Sequence, residues 1–403
     1  MNISVGLGGK MFSRRILDID MSEVKRVVSL IKSGDVISFA GGVPSKELFP
    51  LKELREAFLE VGEIPDAFQY GSTLGFEGLR EELLKHLKES QEIHAKLEEI
   101  MITHGSQQGI DIIGRVLVDP GDIIVVEAPT YFVALNTFQV YEARFLQVGL
   151  DEEGLKTEEL ESLLKKLKAD GKKIKLVYTI PTFQNPSGVT MSEERRKHLV
   201  ELAEDFDFII VEDNPYGELR YSGSPVKAIK HFDKSGRVIN LGTFSKIFVP
   251  GFRLAWLIAN EELLEKLEVG KLTTDVCSNT VGQYVTWAFM RKGLLKKHIQ
   301  RLIGFYRPKR DAMLEALDEF MPENVSWTKP DGGMFIWLTI DDNNVDTKEM
   351  LEDAVKRGVA YVPGKVFYAL KGGENQMRLN FTFESVGRIR EGIKKLAKLI
   401  ASF

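Results

Sequence analysis

Ile174-Lys175-Leu176-Val177-Tyr178-Thr179-Ile180 is a short apolar, β-branched run that stops at Pro181. A loop fixed by two prolines and a glycine follows, Pro181-Thr182-Phe183-Gln184-Asn185-Pro186-Ser187-Gly188. Leu199, Leu202, Ala203 and Phe206 then recur at i, i+3, i+4 and i+7, the single apolar stripe of a helix. Thr190-Met191-Ser192-Glu193 reads as a capping box ahead of that helix. Phe208–Glu212 is a second buried-strand run. The unit is strand, loop, helix, strand, and near-continuous apolar strands of this kind belong to parallel sheets covered on both faces.

Working outward, Ile100–Thr103, Ile123–Glu127 and Val238–Thr243 have the same character. The alternation predicts an α/β core, a mostly parallel central sheet flanked by helices. The final third differs. Gly293 to Phe320 is a long charged helical stretch that Pro308 is expected to kink or restart. Gly332–Ile340, Val359–Pro363 and Met377–Phe381 read as strands. A last helix carries Val386, Ile389, Ile393, Leu396 and Ile400, with Ser385 as its N-cap. This predicts a smaller α+β domain.

A chain of 403 residues suggests two or three domains. Its 54 basic and 59 acidic residues leave a charge of −5, which argues against nucleic acid as the main partner. The single cysteine, Cys277, allows no internal disulfide and argues against a cysteine-based metal site, so no metal is expected. No apolar run is long enough for a signal peptide or a membrane span. A cytoplasmic setting with no membrane partner follows as the expectation.

Ligands in open α/β sheets bind at the carboxyl ends of the strands, and four polar clusters stand at those ends here. His104-Gly105-Ser106-Gln107-Gln108-Gly109 opens a helix, where backbone N–H groups and a hydroxyl make an anion site, or an ordinary serine cap. Pro181–Gly188 presents the amide of Asn185, or is a plain turn. Asp213 ends a strand as a turn-former or as the partner of a cationic ligand group, with Tyr216 three residues on. Gly242-Thr243-Phe244-Ser245-Lys246 runs on to Pro250-Gly251-Phe252-Arg253. A partly desolvated Lys246 there would be nucleophilic, and Arg253 could clamp a phosphate. Together the clusters offer a phosphate cradle (Ser106, Gln107, Ser245, Arg253) and an amine able to condense with a carbonyl (Lys246). They add an acid for a pyridinium nitrogen (Asp213) and donors for a phenolic oxygen (Asn185, Tyr216). Pyridoxal 5'-phosphate needs this set.

The sequence resembles the fold-type I pyridoxal-phosphate aminotransferases, class I/II, in the branch holding 2-aminoadipate and kynurenine (aromatic) aminotransferases. The resemblance runs from Ile37-Ser38-Phe39-Ala40-Gly41-Gly42-Val43-Pro44 with Phe49-Pro50, through Tyr70-Gly71, Ala128-Pro129-Thr130-Tyr131 and the four clusters. It ends at Gly332-Gly333-Met334-Phe335 and Met377-Arg378-Leu379-Asn380-Phe381. Thr243 stands where the broader class has Ser, which keeps the hydroxyl.

The resemblance implies that Tyr131 stacks on the cofactor ring and that Tyr70 reaches the phosphate of a neighbouring subunit, making a homodimer with shared active sites. It implies that Arg378 binds the substrate α-carboxylate beside Gly42, and that Phe335 and Phe367 wall the substrate side chain. The implied activity is transfer of an amino group from an aromatic amino acid, kynurenine or 2-aminoadipate to a 2-oxo acid such as 2-oxoglutarate. Lys246, Asp213 and Tyr216 are the expected catalytic residues. Arg14, Arg15, Lys25 and Arg26 could reach a distal carboxylate, or form a solvated helix face. The alternatives are another fold-type I enzyme, a β-lyase or an alanine–glyoxylate type transaminase, and a regulator with an aminotransferase-like domain, which would need an N-terminal extension. The expected division is residues 1–49 as N-terminal segment and part of the small domain, 50–295 as the large cofactor domain, and 296–403 as the small C-terminal domain.

Overall fold

The computed structural model describes residues 11–17, 19, 36–342 and 344–403. In chain order its strands are β1 (Ile37–Ser38), β2 (Ile100–Thr103), β3 (Ile123–Ala128), β4 (Arg144–Asp151), β5 (Gly154–Leu155), β6 (Leu176–Thr179) and β7 (Ile209–Asp213). They continue with β8 (Val238–Thr243), β9 (Ala255–Ile258), β10 (Val325–Trp327), β11 (Phe335–Ile340), β12 (Val359–Ala360), β13 (Val362–Pro363) and β14 (Gln376–Asn380). The large sheet has eight strands in the order β2-β9-β8-β7-β6-β3-β4-β5. Its centre, β8-β7-β6-β3-β4, is parallel, while β9 runs antiparallel to both β2 and β8. The α/β class expected from the strand–helix alternation is the class observed.

Alternation along the central strands explains their apolar composition. Val125, Val177, Ile210 and Val238 enter one buried cluster, with Leu199 and Ala203 of the helix Glu193–Phe206. Ile124, Leu176, Tyr178, Val211 and Ile239 enter another, with Ile110 and Ile113 of the helix Ser106–Leu117. Both faces are covered, so neither can be polar.

A second sheet, β10-β11-β14-β13, is antiparallel throughout. The N-terminal segment joins this part of the molecule. β1 pairs in parallel with β12, Phe39 N–H donates to Ala360 O at 2.8 Å, and Asn380 N–H donates to Phe39 O at 2.8 Å. Val386–Ile400 is a helix with Ser385 as N-cap, its hydroxyl accepting from Arg388 N at 3.4 Å. Among the described residues no helix is long and apolar enough to cross a membrane.

Several expectations change. Pro308 does not restart the helix: Leu294–Phe320 is continuous, and Leu302, Tyr306, Met313 and Leu317 are buried along it. That packing offsets the hydrogen bond a proline cannot donate. The capping box at Thr190 is not formed. The N-cap is Ser192, whose Oγ accepts from Arg195 N at 3.5 Å, so the third position holds an arginine and no carboxylate reaches back. Thr190 Oγ1 instead accepts from Phe183 N at 3.3 Å, tying down the loop that carries Asn185. Val359–Pro363 is two short strands rather than one, and β4 is a strand that the apolar runs do not announce.

Candidate active site

The carboxyl ends of β8, β7, β6 and β3 lie side by side in the sheet. β2 is antiparallel to β9, as β8 is, so its carboxyl end points the same way. That geometry collects the clusters following these five strands. Around them lies a cavity of about 310 Å³, lined by Gly42, Ser106, Gln107, Tyr131, Asn185, Asp213, Tyr216, Thr243, Ser245, Lys246, Arg253, Phe335 and Arg378.

One end of the cavity is built to hold an anion. Ser106 is the first residue of its helix, whose N-terminal amides carry partial positive charge. Gly105 precedes it with φ +76°, and a Cβ there would run into Arg253 Nη2. Glycine is needed both for the turn and to let the guanidinium approach. Thr243 Oγ1 accepts from Ser245 N at 3.1 Å, and Arg253 Nη1 donates to Ser245 Oγ at 3.2 Å. Gln107 Nε2 donates to Thr137 Oγ1 at 2.5 Å.

Asp213, the last residue of β7, is 2% exposed. Tyr178 OH donates to its Oδ2 at 2.7 Å, while its Oδ1 has no partner. Burial pushes its carboxyl up to about 6 against the stabilising hydrogen bond from Tyr178. A buried carboxylate oxygen left unpaired is costly unless a donor or cation completes it.

Lys246 Nζ donates to Gly42 O at 2.7 Å. Desolvation first, then the charges of Arg378 and Arg253, lower its ammonium to about 8. About a tenth is therefore the free amine at pH 7, far more than for an ordinary lysine, in the direction the sequence suggests.

The far end is cationic and aromatic. Arg378 is 6% exposed, donates from Nη1 to Asn185 Oδ1 at 2.9 Å and from Nη2 to Ala40 O at 3.2 Å, and leaves Nε unpaired. Burial lowers its guanidinium to about 10. It lies over the Phe335 ring at 4.1 Å and over Phe367 at 5.1 Å. Asn185 Nδ2 donates to Tyr216 OH at 3.3 Å, and Tyr216 meets Phe335 edge-on at 5.7 Å. Burial raises the phenols of both Tyr216 and Tyr131, Tyr131 to about 12, so both remain protonated donors.

Some expected residues are elsewhere. Phe367 backs Arg378 but does not line the cavity. Tyr70 is 83% exposed and does not line it either. Arg14 pairs with Glu142 at 2.7 Å, and neither it nor Arg15 lines the cavity. Lys25 and Arg26 lie outside the described residues. Val43 and Phe132, which do line it, carry no signal of their own in the sequence.

Two supporting residues escape a sequence reading. Tyr178 sits in an otherwise aliphatic run, and that is its only signal. Glu127, 1% exposed in β3, accepts from Thr179 Oγ1 at 2.5 Å, Ile180 N at 3.1 Å and Gln184 Nε2 at 2.8 Å. Gln184 Nε2 also donates to Pro129 O at 2.7 Å, so this node joins the loops bearing Tyr131 and Asn185. A carboxylate inside Ile123–Ala128 is the available clue.

Residues 34–396 match the family model described as aminotransferase class I and II. The chain is 54% identical to aromatic-amino-acid aminotransferase 1 of Thermococcus litoralis, over 97% of this chain and 94% of that protein. Its fold matches Pyrococcus horikoshii kynurenine aminotransferase, solved in complex with PMP, with TM-score 0.94 and 54% identity over 98% and 97% of the two chains. It also matches the alpha-aminoadipate aminotransferase of Thermus thermophilus complexed with N-(5'-phosphopyridoxyl)-L-leucine, with TM-score 0.88 and 32% identity over 98% of each chain.

Proposed function

The chain belongs to the class I and II aminotransferases and transfers amino groups with pyridoxal 5'-phosphate as its cofactor, and from that premise we propose that its donors are aromatic amino acids and kynurenine. The observation that carries this is the cavity wall: Tyr131, Phe132, Tyr216 and Phe335 line the same cavity as Arg378, and Arg378 lies over the Phe335 ring at 4.1 Å. Flat, apolar surfaces of this kind favour an aromatic side chain. Among the described residues, the cations lining the same cavity are Lys246, Arg253 and Arg378, and each already has a role, at the transferred proton, the phosphate and the donor α-carboxylate. 2-Aminoadipate is therefore proposed as the poorer donor, and 2-oxoglutarate as an acceptor.

The residues present fit the cofactor. The unpaired Asp213 Oδ1 suits a protonated ring nitrogen, and the Ser106, Gln107, Thr243, Ser245 and Arg253 cradle suits a phosphate. Tyr131 would stack on the ring, and Asn185 and Tyr216 would hold its phenolic oxygen. When bound, the cofactor withdraws electrons and acidifies the donor's Cα–H. Arg378 would fix the donor carboxylate through a bidentate pair, with Gly42 alongside. Lys246 Nζ, its ammonium lowered to about 8, takes the proton from Cα as the free amine and returns it on the far side of the transfer.

We also propose a homodimer with shared sites, because the exposed Tyr70 has no role in its own cavity, and a cytoplasmic setting suited to the lone Cys277. The test is a donor panel on loaded enzyme with 2-oxoglutarate. Phenylalanine, tyrosine and kynurenine are expected to exceed alanine and 2-aminoadipate at least tenfold in kcat/KM. Alanine equal to or above the aromatic donors would overturn the reading. The Lys246→Ala variant is expected to lose turnover entirely.

A further inference from the structure

Lys271 is a fully buried lysine that takes no part in the chemistry above. It lies on the helix Glu261–Asp275, which runs close to the cradle helix Ser106–Leu117: a Cβ on Gly270 would meet Val116 at 2.6 Å. Lys271 Nζ donates to Asp275 Oδ1 at 2.6 Å. Asp275 Oδ2 accepts from Gln108 Nε2 at 2.7 Å. Gln108 Oε1 accepts from His104 N at 2.7 Å and from Lys271 Nζ at 3.5 Å. A chain of polar contacts thus runs from a buried ammonium to the backbone N–H that opens the cradle turn.

The placement goes against local preference at two points. Asp275 is the last residue of its helix, where the helix dipole disfavours a carboxylate. Val276, directly after it, has φ +64° and ψ −58°, a region that β-branched residues avoid. Cys277 N donates back to Asp275 O at 2.7 Å, closing this tight turn. Strain and an unfavourable charge at one point persist only where surrounding contacts over-determine them.

The other side of the cradle turn is held too. Gly105 N donates to Thr103 O at 2.9 Å, and Thr103 Oγ1 donates to Gly105 O at 3.1 Å. Gln108 supplies the remaining constraint, on the 104 amide.

We propose that Lys271, Asp275 and Gln108 form a positioning device that fixes the Thr103–His104 peptide, at the entry to the cradle turn, so that the helix amides converge with Ser245 and Arg253 on the cofactor phosphate. The inference rests on the reading of this cavity as the cofactor site. It assigns these three residues to phosphate affinity, not to the transfer step. Lys271 and Asp275 act through Gln108, and Gln108 acts through the backbone.

The test is cofactor binding to apo-enzyme, with pyridoxal phosphate and pyridoxal as paired probes and inorganic phosphate as competitor. Gln108 is only partly buried, so Gln108→Met is expected to fold. It should weaken pyridoxal phosphate and inorganic phosphate about tenfold, the value of one well-placed hydrogen bond. Pyridoxal, which lacks the phosphate, should change less than twofold. Lys271→Met should give the same selective loss, and the double variant no more than either alone. A merely structural role would lower thermal stability and weaken both probes alike; that result, or unchanged phosphate affinity, overturns the inference. Wild-type enzyme that binds pyridoxal as tightly as pyridoxal phosphate would instead overturn the reading of the cavity itself.

Discussion

Replacing Asp213 by asparagine removes one buried negative charge and almost nothing else. In the ligand-free protein Asp213 is held at about 6 by burial, against 3.8 for an ordinary aspartate. That gap corresponds to about 3 kcal/mol of folding stability. The folded value lies above the unfolded one, so the folded state binds the proton more tightly and stability falls as pH rises. The loss is absent below about pH 4, roughly half developed at pH 5 and complete above about pH 6. In the Asp213→Asn variant the new amide oxygen can still accept from Tyr178, but the amide N–H₂ stands where Oδ1 has no partner. That adds a cost of about 1–2 kcal/mol. The cost does not depend on pH, so the pH dependence isolates the charge. Between pH 5 and pH 8 the apo variant should gain about 1.5 kcal/mol on apo wild type, or nearly 2 °C in Tm for a chain of this length. The assay is thermal and urea unfolding of both apo proteins at several pH values, repeated with cofactor. Cofactor should reverse the order, stabilising wild type far more than the variant. A difference between the apo proteins that stays flat from pH 5 to pH 8 would refute the argument that the fold keeps a destabilising carboxylate for a cationic partner.

Three further outcomes are expected. Arg378→Lys loses the bonds to Asn185 and Ala40 and the fork needed for a bidentate carboxylate pair; donor KM should rise about 100-fold with a smaller change in kcat, read by steady-state kinetics. Arg196 is fully buried and donates to Met191 O, Lys227 O, Pro181 O and Thr182 Oγ1; Arg196→Met should cost about 3–5 kcal/mol in urea unfolding by leaving those acceptors dry. His298 is 1% exposed, has neither ring nitrogen paired and is lowered to about 4, so its own contribution should fall by about 2–3 kcal/mol from pH 7 to 4.5; wild type should lose that much relative to His298→Leu, read by urea unfolding of both at the two pH values.

What is legible in the sequence follows from where the information is local. Val238–Thr243 is bounded to the residue and Ser385 caps its helix, because an apolar run and a serine before an apolar stripe act over a few positions. β4 is not legible because Arg144, Gln147 and Gly149 interrupt it. It pairs with β3 but lies near the sheet edge, where most of its side chains are only partly buried and polar residues are tolerated. Pro308 misleads for the opposite reason: the local rule is sound, but packing contributed by distant residues outweighs it.

The site shows the same division more sharply. Residue types at strand ends are enough to point to Lys246, Asp213 and Asn185, because each type is chemically unusual where it stands; Arg378, inside β14, is named only by the family resemblance. Their supports are invisible, because these depend on register and long-range approach. Tyr178 lies opposite Val211 across β6 and β7, and only that pairing brings its hydroxyl to Asp213 two positions on. Gln108 and Asp275 are 167 residues apart, and no pattern in either segment names the other. Of the buried polar atoms left without a partner among the described residues, Asp213 Oδ1 and Arg378 Nε belong to residues that line the cavity, and these bear most directly on function. A sequence built only for stability would have filled those positions with apolar side chains or paired them. Their incompleteness, beside a lysine lowered to about 8, is the physical mark of a cavity shaped around a ligand with a cationic ring and anionic ends.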